Sequence, residues 1–353
     1  MANILITGVA GFIGSHTADA LLQAGHRVWG VDDLRTGRMQ NIAGALAAGL
    51  DFNEFSVLDS AHLDRLVKTS RIDAIIHLAA LVSVPESISE PELNFRLNLE
   101  AAHRVAEAAR CNAVKRLVFA SSAAVYGNTK KVPVAEDAVL SPLSPYGAAK
   151  LASEYLLLSY AAHYGVTVRI QRYFNVFGRR QDPSSPYSGV VSVFVRNLCQ
   201  GKPITIQGDG RQTRDFIAVA DVARANLLAA TKPEIATGVA NICTGRPVSL
   251  LALAQSLSRI GPLPPLCFAP AREGDIRHSA GTTNSAQQAL GFESRTEIFE
   301  SLAELVAEQA DAASGCATVW PKLDAGLDRD PREPLHEVES AHSGSGRVAG
   351  EPA

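Results

Sequence analysis

Three glycines spaced by three, Gly8, Gly11 and Gly14, follow the apolar run Asn3–Thr7 and precede the amphipathic stretch Ser15–Ala24. A strand that turns through glycines into a helix is restrictive. The backbone must turn tightly, and the helix N-terminus then presents amides and a positive dipole end to an anion such as a pyrophosphate. The same rhythm continues through the first half. Arg27–Val31, Ala74–Leu78, Leu117–Ser121 and Thr167–Gln171 are short and almost unbroken apolar runs, as in strands covered on both faces. Helical patterns at Leu93–Arg110 and Pro145–His163 separate them. Such alternation predicts an α/β fold with a doubly wound parallel sheet.

Beyond Asn175 the pattern loosens into turn-rich segments, Asp182–Gly189 and Pro262–Pro265, with helical periodicity again at Asp221–Thr231 and a short strand at Ala240–Cys243. We expect residues 1–175, with returns near 215–245, to form a Rossmann domain. A smaller interleaved α/β substrate domain spans 176–310. The Gly-, Ser-, Pro- and charge-rich stretch 311–353 reads as a disordered tail. A net charge of −3 argues against a nucleic-acid partner, and no apolar run is long enough for a membrane span. The start lacks the regions of a signal peptide, and five scattered cysteines show neither a disulfide pattern nor metal spacing. A cytoplasmic location is expected.

Two further features carry chemistry. The second strand ends in Asp32-Asp33, at the distance from the glycines where a carboxylate meets an adenosine ribose; that acid would repel a 2′-phosphate, favouring NAD over NADP. Tyr146 and Lys150 are four apart on a helical pattern and so share one face. An ammonium near a phenol favours the phenolate, and Ser122 could share the hydrogen bond, so the set can take a proton from a substrate hydroxyl. Ser144-Pro145 reads as an N-cap followed by Pro at the first helical position, placing Tyr146 in the first turn.

The glycine spacing, His77-Leu-Ala-Ala80, Ser122, Val125-Tyr-Gly127, Ser144-Pro-Tyr-Gly147, Lys150 and Arg172-Tyr-Phe-Asn175 together resemble the extended short-chain dehydrogenase/reductase family. The resemblance runs from about residue 2 to 310 and is nearest to the UDP-hexose 4-epimerase branch, most of all to the UDP-N-acetylglucosamine 4-epimerases. It implies a UDP-sugar substrate, a homodimer built through a four-helix bundle, and roles for particular residues. Tyr146 would be the base, Lys150 would lower its pKa and bind the nicotinamide ribose, and Ser122 would bond the reacting oxygen. Gly8, Gly11, Phe12, Ile13, Gly14, Asp32, Asp33, Leu34, Ser56, Val57, Leu78, Ala79, Ala80 and Tyr173 would line the cofactor. Ser83, Ser121, Asn175, Val190, Val191, Arg214, Arg272, Asp275 and Ser279 would line the substrate, with the two arginines gripping the diphosphate.

Within the resemblance, the pair after Ser122 discriminates. Dehydratase relatives carry Asp-Glu there, whereas Ala123 and Ala124 cannot protonate a leaving hydroxyl. Inversion at C4 through a transient 4-keto sugar is what remains. A small residue at Ser279 implies room for an N-acetyl group at C2, where a bulky Tyr restricts relatives to plain hexoses. The sequence departs from the family pattern at Ser56-Val57, after Asn98, at Ala218 and Ala220, and at Thr282. A UDP-uronate 4-epimerase, a sugar-nucleotide 4-ketoreductase and a regulator that senses NAD or sugar nucleotides stay open as alternatives.

Overall fold

The apolar run that leads into the glycines forms β1 (Asn3–Thr7), an inner strand of a seven-stranded parallel sheet. The computed structural model describes residues 1–182, 189–271 and 276–313. From β1 the chain passes through α1 (Phe12–Gln23) to β2 (Arg27–Asp32), through α2 (Met39–Ala47) to β3 (Asp51–Glu54), and through α3 (Ser60–Thr69) to β4 (Ala74–His77). Short helices α4 (Val84–Ser89) and α5 (Pro91–Asn94) lead through a π-helical stretch, Phe95–Glu100, into α6 (Ala101–Cys111) and β5 (Arg116–Ser122). A 3₁₀ turn, Ala123–Tyr126, follows β5. The long α7 (Pro145–Tyr164) then precedes β6 (Thr167–Tyr173).

The second half holds β7 (Asn175–Phe177), α8 (Val190–Cys199), β8 (Ile204–Gln207), β9 (Thr213–Arg214), β10 (Phe216–Ala218) and α9 (Val219–Thr231). It continues with β11 (Gly238–Ile242), β12 (Val248–Ser249), α10 (Leu250–Ser256), β13 (Leu266–Ala269), β14 (His278–Ser279), α11 (Asn284–Leu290) and α12 (Ile298–Ala313). The main sheet has the order β11-β6-β5-β4-β1-β2-β3, so the chain reverses direction between β1 and β4. That reversal opens the crevice beyond the strand ends where α/β sheets take their ligands. Apolar side chains on one face of the sheet pack with α1, α2, α9 and α11, and those on the other with α3, α6 and α7. Small sheets β7–β10, β12-β9-β14 and β8–β13 lie outside this frame, while β11 returns to it beside β6.

Every strand read from an apolar run is present in the main sheet, where β3 is additional. Its sequence, Asp-Phe-Asn-Glu, is polar because it forms the sheet's edge and is only half covered. The single helix expected over Leu93–Arg110 is instead broken by the π turn. α12 continues to Ala313, past the start expected for the tail, and residues 314–353 lie outside the described set. Among the described residues no helix is long and apolar enough to cross a membrane.

Candidate active site

The turn after β1 needs its glycines for space. Gly8 has φ +73°, and a Cβ there would sit 2.7 Å from Ala79 N; a Cβ on Gly14 would sit 2.0 Å from Gly8 O. Gly11 caps α1 without a side-chain acceptor, and the first turn, which begins at Phe12 and Ile13, carries no acid. This leaves the helix end open to an anion. Gly14→Ala should therefore cost about 3 kcal/mol or more of stability and abolish retention of NAD. The checks are thermal unfolding and the nucleotide released from denatured protein.

Asp32, at the end of β2, is held at both oxygens: Oδ2 accepts from Ala10 N and Oδ1 from Leu34 N, each at 2.9 Å. Leu34 takes a left-handed conformation (φ 56°) to reach it. Burial pushes the Asp32 carboxyl above the usual carboxylate range, and the amide bonds pull it back. Asp33 is exposed and accepts from Arg35 N. Ser56 and Val57 follow β3, whose Glu54 is in register with Asp32; Ser56 is half-buried, but Val57 is packed in the core. Leu78, Ala79 and Ala80, past β4, are half-buried opposite Gly8.

The helix that carries Tyr146 and Lys150 starts as the sequence implied. Ser144 Oγ accepts from Gly147 N at 3.2 Å, and Pro145 opens α7. Two further contacts fix this end: Tyr146 N donates to Ser87 Oγ (3.2 Å), and Asn94 Nδ2 donates to Pro145 O (3.0 Å). Ser122, at the end of β5, hydrogen-bonds the Tyr146 phenol, and its Oγ also accepts from Ala124 N. Lys150 is buried; its Nζ donates to Ala120 O (2.9 Å) and lies 4.9 Å from the Phe119 ring centroid and 5.9 Å from that of Tyr146. Burial drives Lys150 down to about 7, opposed by the Glu154 carboxylate one turn along. The expected lowering of the phenol is not seen. Burial pushes Tyr146 up, only the Ser122 bond pulls it down, and the ammonium gives its hydrogen bond to a carbonyl instead.

Two candidates are committed elsewhere. The Ser121 hydroxyl donates to Glu154, which is ion-paired with Arg172 at 2.7 Å in a buried network. The Tyr173 phenol donates to Asn226 Oδ1 (2.6 Å) on α9. Sequence reasoning passed over Ser87, Asn94, Glu154 and Arg172's partner set. The signal for Glu154 was its spacing of four from Lys150.

On the other side, Asn175 donates from both N and Nδ2 to Asp215 O (3.1 and 3.0 Å). Asp215 is buried, its carboxylate accepting from Thr244 N, Thr244 Oγ1 and Gly245 N. Arg214 Nη1 donates to Thr213 O, and Ser279 is in register with Arg214 across β14–β9. Asp215 N donates to Ser279 O (2.8 Å). Asn175, Arg214 and Ser279 are thus one cluster, organised by Asp215. Val190 and Val191 begin α8, the second of them buried, and Ser83 caps α4 by accepting from Glu86 N. Arg272 and Asp275 lie outside the described residues. A cleft of about 390 Å³ lined by Asp19, Leu22, Gly44 and Arg180 contains none of the candidates. No cluster of potential metal ligands occurs among the described residues.

Comparison with known proteins places the chain among relatives of the same fold. The family model described as "NAD dependent epimerase/dehydratase family" matches residues 4–243. A UDP-glucose 4-epimerase of Mycolicibacterium smegmatis is 36% identical over 86% of this chain and 96% of its own. Among solved structures, the UDP-glucose 4-epimerase of Thermotoga maritima with UDP-glucose has a TM-score of 0.83 and 35% identity, covering 88% of this chain and 99% of that one. The UDP-N-acetylglucosamine 4-epimerase of Methanobrevibacter ruminantium, in complex with UDP-N-acetylmuramic acid, has the same TM-score and 34% identity over 89% and 99%. With a strand–glycine–helix turn, a buried Lys150 beneath Tyr146 and matches of this extent, the chain belongs to the NAD dependent epimerase/dehydratase family.

Proposed function

We propose that the protein is an NAD-dependent UDP-sugar 4-epimerase, acting on UDP-GlcNAc/UDP-GalNAc and also on UDP-glucose/UDP-galactose. The observation that carries this reading is a proton-transfer set without an accompanying acid. Ser122, Tyr146 and Lys150 meet at the end of β5, and the next two residues are Ala123 and Ala124. The tight turn at Gly8 and Gly14, where a Cβ would clash with Ala79 N or Gly8 O, sets the uncapped and acid-free N-terminus of α1 close to the end of β1, which fits the pyrophosphate of a dinucleotide. Residues 1–175, with the stretch near 215–245, would hold NAD, Asp32 facing the adenosine ribose. Residues 176–310 would hold the UDP-sugar through Arg214 and the region of Arg272 and Asp275, with Asn175 at the domain boundary beside them.

A bound NAD would supply the hydride acceptor and donor for C4. Tyr146 accepts the 4′-hydroxyl proton, and Ser122 steadies the oxygen as it becomes a carbonyl. Lys150, although it gives its own hydrogen bond to Ala120 O, would hold an ammonium near the phenolate that does this, against the rise that burial imposes on Tyr146. With the sugar's other face presented, Tyr146 would give the proton back to the 4′-oxygen, so that C4 would be inverted without net redox. Exposed Phe95 and Tyr155, on the packed pair formed by the π turn with α6 and by α7, support a homodimer through these helices.

Purified protein should interconvert the C4 epimers of UDP-GlcNAc and UDP-glucose without added cofactor, as read by chromatographic separation. Ser279→Tyr should abolish conversion of UDP-GlcNAc while sparing UDP-glucose; equal loss of both would remove Ser279 as the gatekeeper. Product from the uronates alone would move the assignment to a uronate epimerase. Net NADH consumption would make it a ketoreductase, and no turnover of any of them would favour a regulator.

A further inference from the structure

Thr7 and His77 close the adjacent strands β1 and β4 and are register partners, both fully buried. Thr7 Oγ1 lies 2.7 Å from His77 Nδ1, and it also accepts from Leu78 N (3.2 Å) and Ala79 N (3.3 Å). A hydroxyl has one hydrogen and two lone pairs. Ala79 N gives its hydrogen to this oxygen and Leu78 N shares its own between it and Thr7 O (3.1 Å), so the arrangement favours the hydroxyl hydrogen going to Nδ1. That nitrogen is therefore bare, and the ring proton sits on Nε2.

His77 is in register with Phe119 on β5, and their rings stack with centroids 5.9 Å apart. The same Phe119 ring receives the Lys150 ammonium at 4.9 Å. The charged and titratable groups around Lys150 are Tyr146 and Glu154 on α7, Arg172 of β6 behind Glu154, and His77 on β4. A protonated His77 would add a second buried cation beside Lys150. The geometry opposes it, because a proton on Nδ1 would turn the Thr7 hydroxyl hydrogen away and ask an oxygen that already accepts from backbone amides to accept from the ring as well.

We propose that Thr7 and His77 form a neutral clasp that acts, through Phe119, as a set of positioning residues for Lys150. The lock on the His77 tautomer keeps a second positive charge away from the ammonium, and the quadrupole of the Phe119 ring supports the charge that remains. Through the amides it accepts the clasp also holds the Leu78–Ala79 turn against Gly8, where a Cβ would lie 2.7 Å from Ala79 N. The inference rests on the role proposed for Lys150, but its first test does not.

That test is the long-range ¹H–¹⁵N spectrum of histidine-labelled full-length protein with its bound nucleotide. Wild type should show His77 as the Nε2–H tautomer, unchanged from pH 5.5 to 9. Thr7→Val, which keeps the shape and removes the hydroxyl, should lose the fixed tautomer and lower the NAD bound per chain. Thr7→Ser should restore both. An Nδ1–H ring, or a His77 that titrates in wild type, overturns the clasp.

The second test is the pH profile of the single-turnover hydride step, followed by the absorbance of reduced nucleotide. Phe119→Leu should move its alkaline limb down by about one pH unit; an unmoved limb overturns the support by Phe119. Lys150→Met should remove that limb. If it does not, the role of Lys150 fails, while the tautomer measurement still decides whether the clasp exists.

Discussion

Tyr146→Phe should lower epimerisation about a thousand-fold, the scale on which a positioned general base contributes, and leave the fold and the retained NAD nearly unchanged. The surroundings of the ring explain the separation. Residue 146 is held by its backbone, which donates to Ser87 Oγ, so a phenylalanine stays in the same place. Ser122 does not become an orphan when the phenol goes, because its Oγ also accepts from Ala124 N. Lys150 keeps its bond to Ala120 O and its place over Phe119. Only the proton acceptor is removed. The measurement is conversion of UDP-glucose or UDP-GlcNAc to the C4 epimer at saturating substrate, with thermal unfolding and nucleotide content as controls. Near-wild-type turnover by this variant would mean that the base lies elsewhere and that the proposed mechanism is wrong.

Much of this site was legible before any coordinates because its signals are local. The glycine turn, the cap at Ser144-Pro145 and the four-residue spacing of Tyr146 and Lys150 each depend on neighbouring residues, and local rules fix them. The same holds for the buried strands, whose unbroken apolar runs report coverage on both faces. The edge strand β3 lacked that signal because half of it faces water. The π turn at Phe95–Glu100 was hidden for a different reason. It is a rearrangement of backbone hydrogen bonds within a continuous helical pattern, and side-chain periodicity does not record it.

The two neighbouring serines show where a local rule was available and went unused. Successive side chains in a strand point to opposite faces, so Ser121 and Ser122 at the end of β5 could not both face the crevice. Ser122 takes the phenol, and Ser121 turns to Glu154. What no local rule supplies is the partner set of Arg172, which comes from the turn after β5, from α7 and from the segment around Glu136. These residues lie 18 to 46 positions away in the chain. Their convergence depends on the sheet order.

That convergence makes Arg172→Leu the substitution with the largest expected loss of stability. The side chains of Arg172 and Glu154 are 3% and 2% exposed, and the guanidinium bonds both carboxylate oxygens, the Tyr126 hydroxyl (2.9 Å) and Glu136 O (3.0 Å). Leucine fills part of the volume but leaves the Glu154 carboxylate buried with the Ser121 hydroxyl as its remaining donor. An uncompensated buried charge of this kind costs about 3–5 kcal/mol, which urea denaturation should register as a lower midpoint at unchanged slope. Replacing both partners, as Glu154→Met with Arg172→Leu, should recover most of the loss, since an apolar pair of similar volume avoids the desolvation of both ions. Recovery of stability would not mean recovery of function. Glu154 is the charge that opposes the fall of the Lys150 pKa, so in the double variant the ammonium is lost at lower pH than in wild type. The alkaline limb of the hydride step should shift down accordingly even though the fold is sound. A single variant within 1 kcal/mol of wild type would contradict the buried pair, and a double variant with an unshifted limb would contradict its link to Lys150.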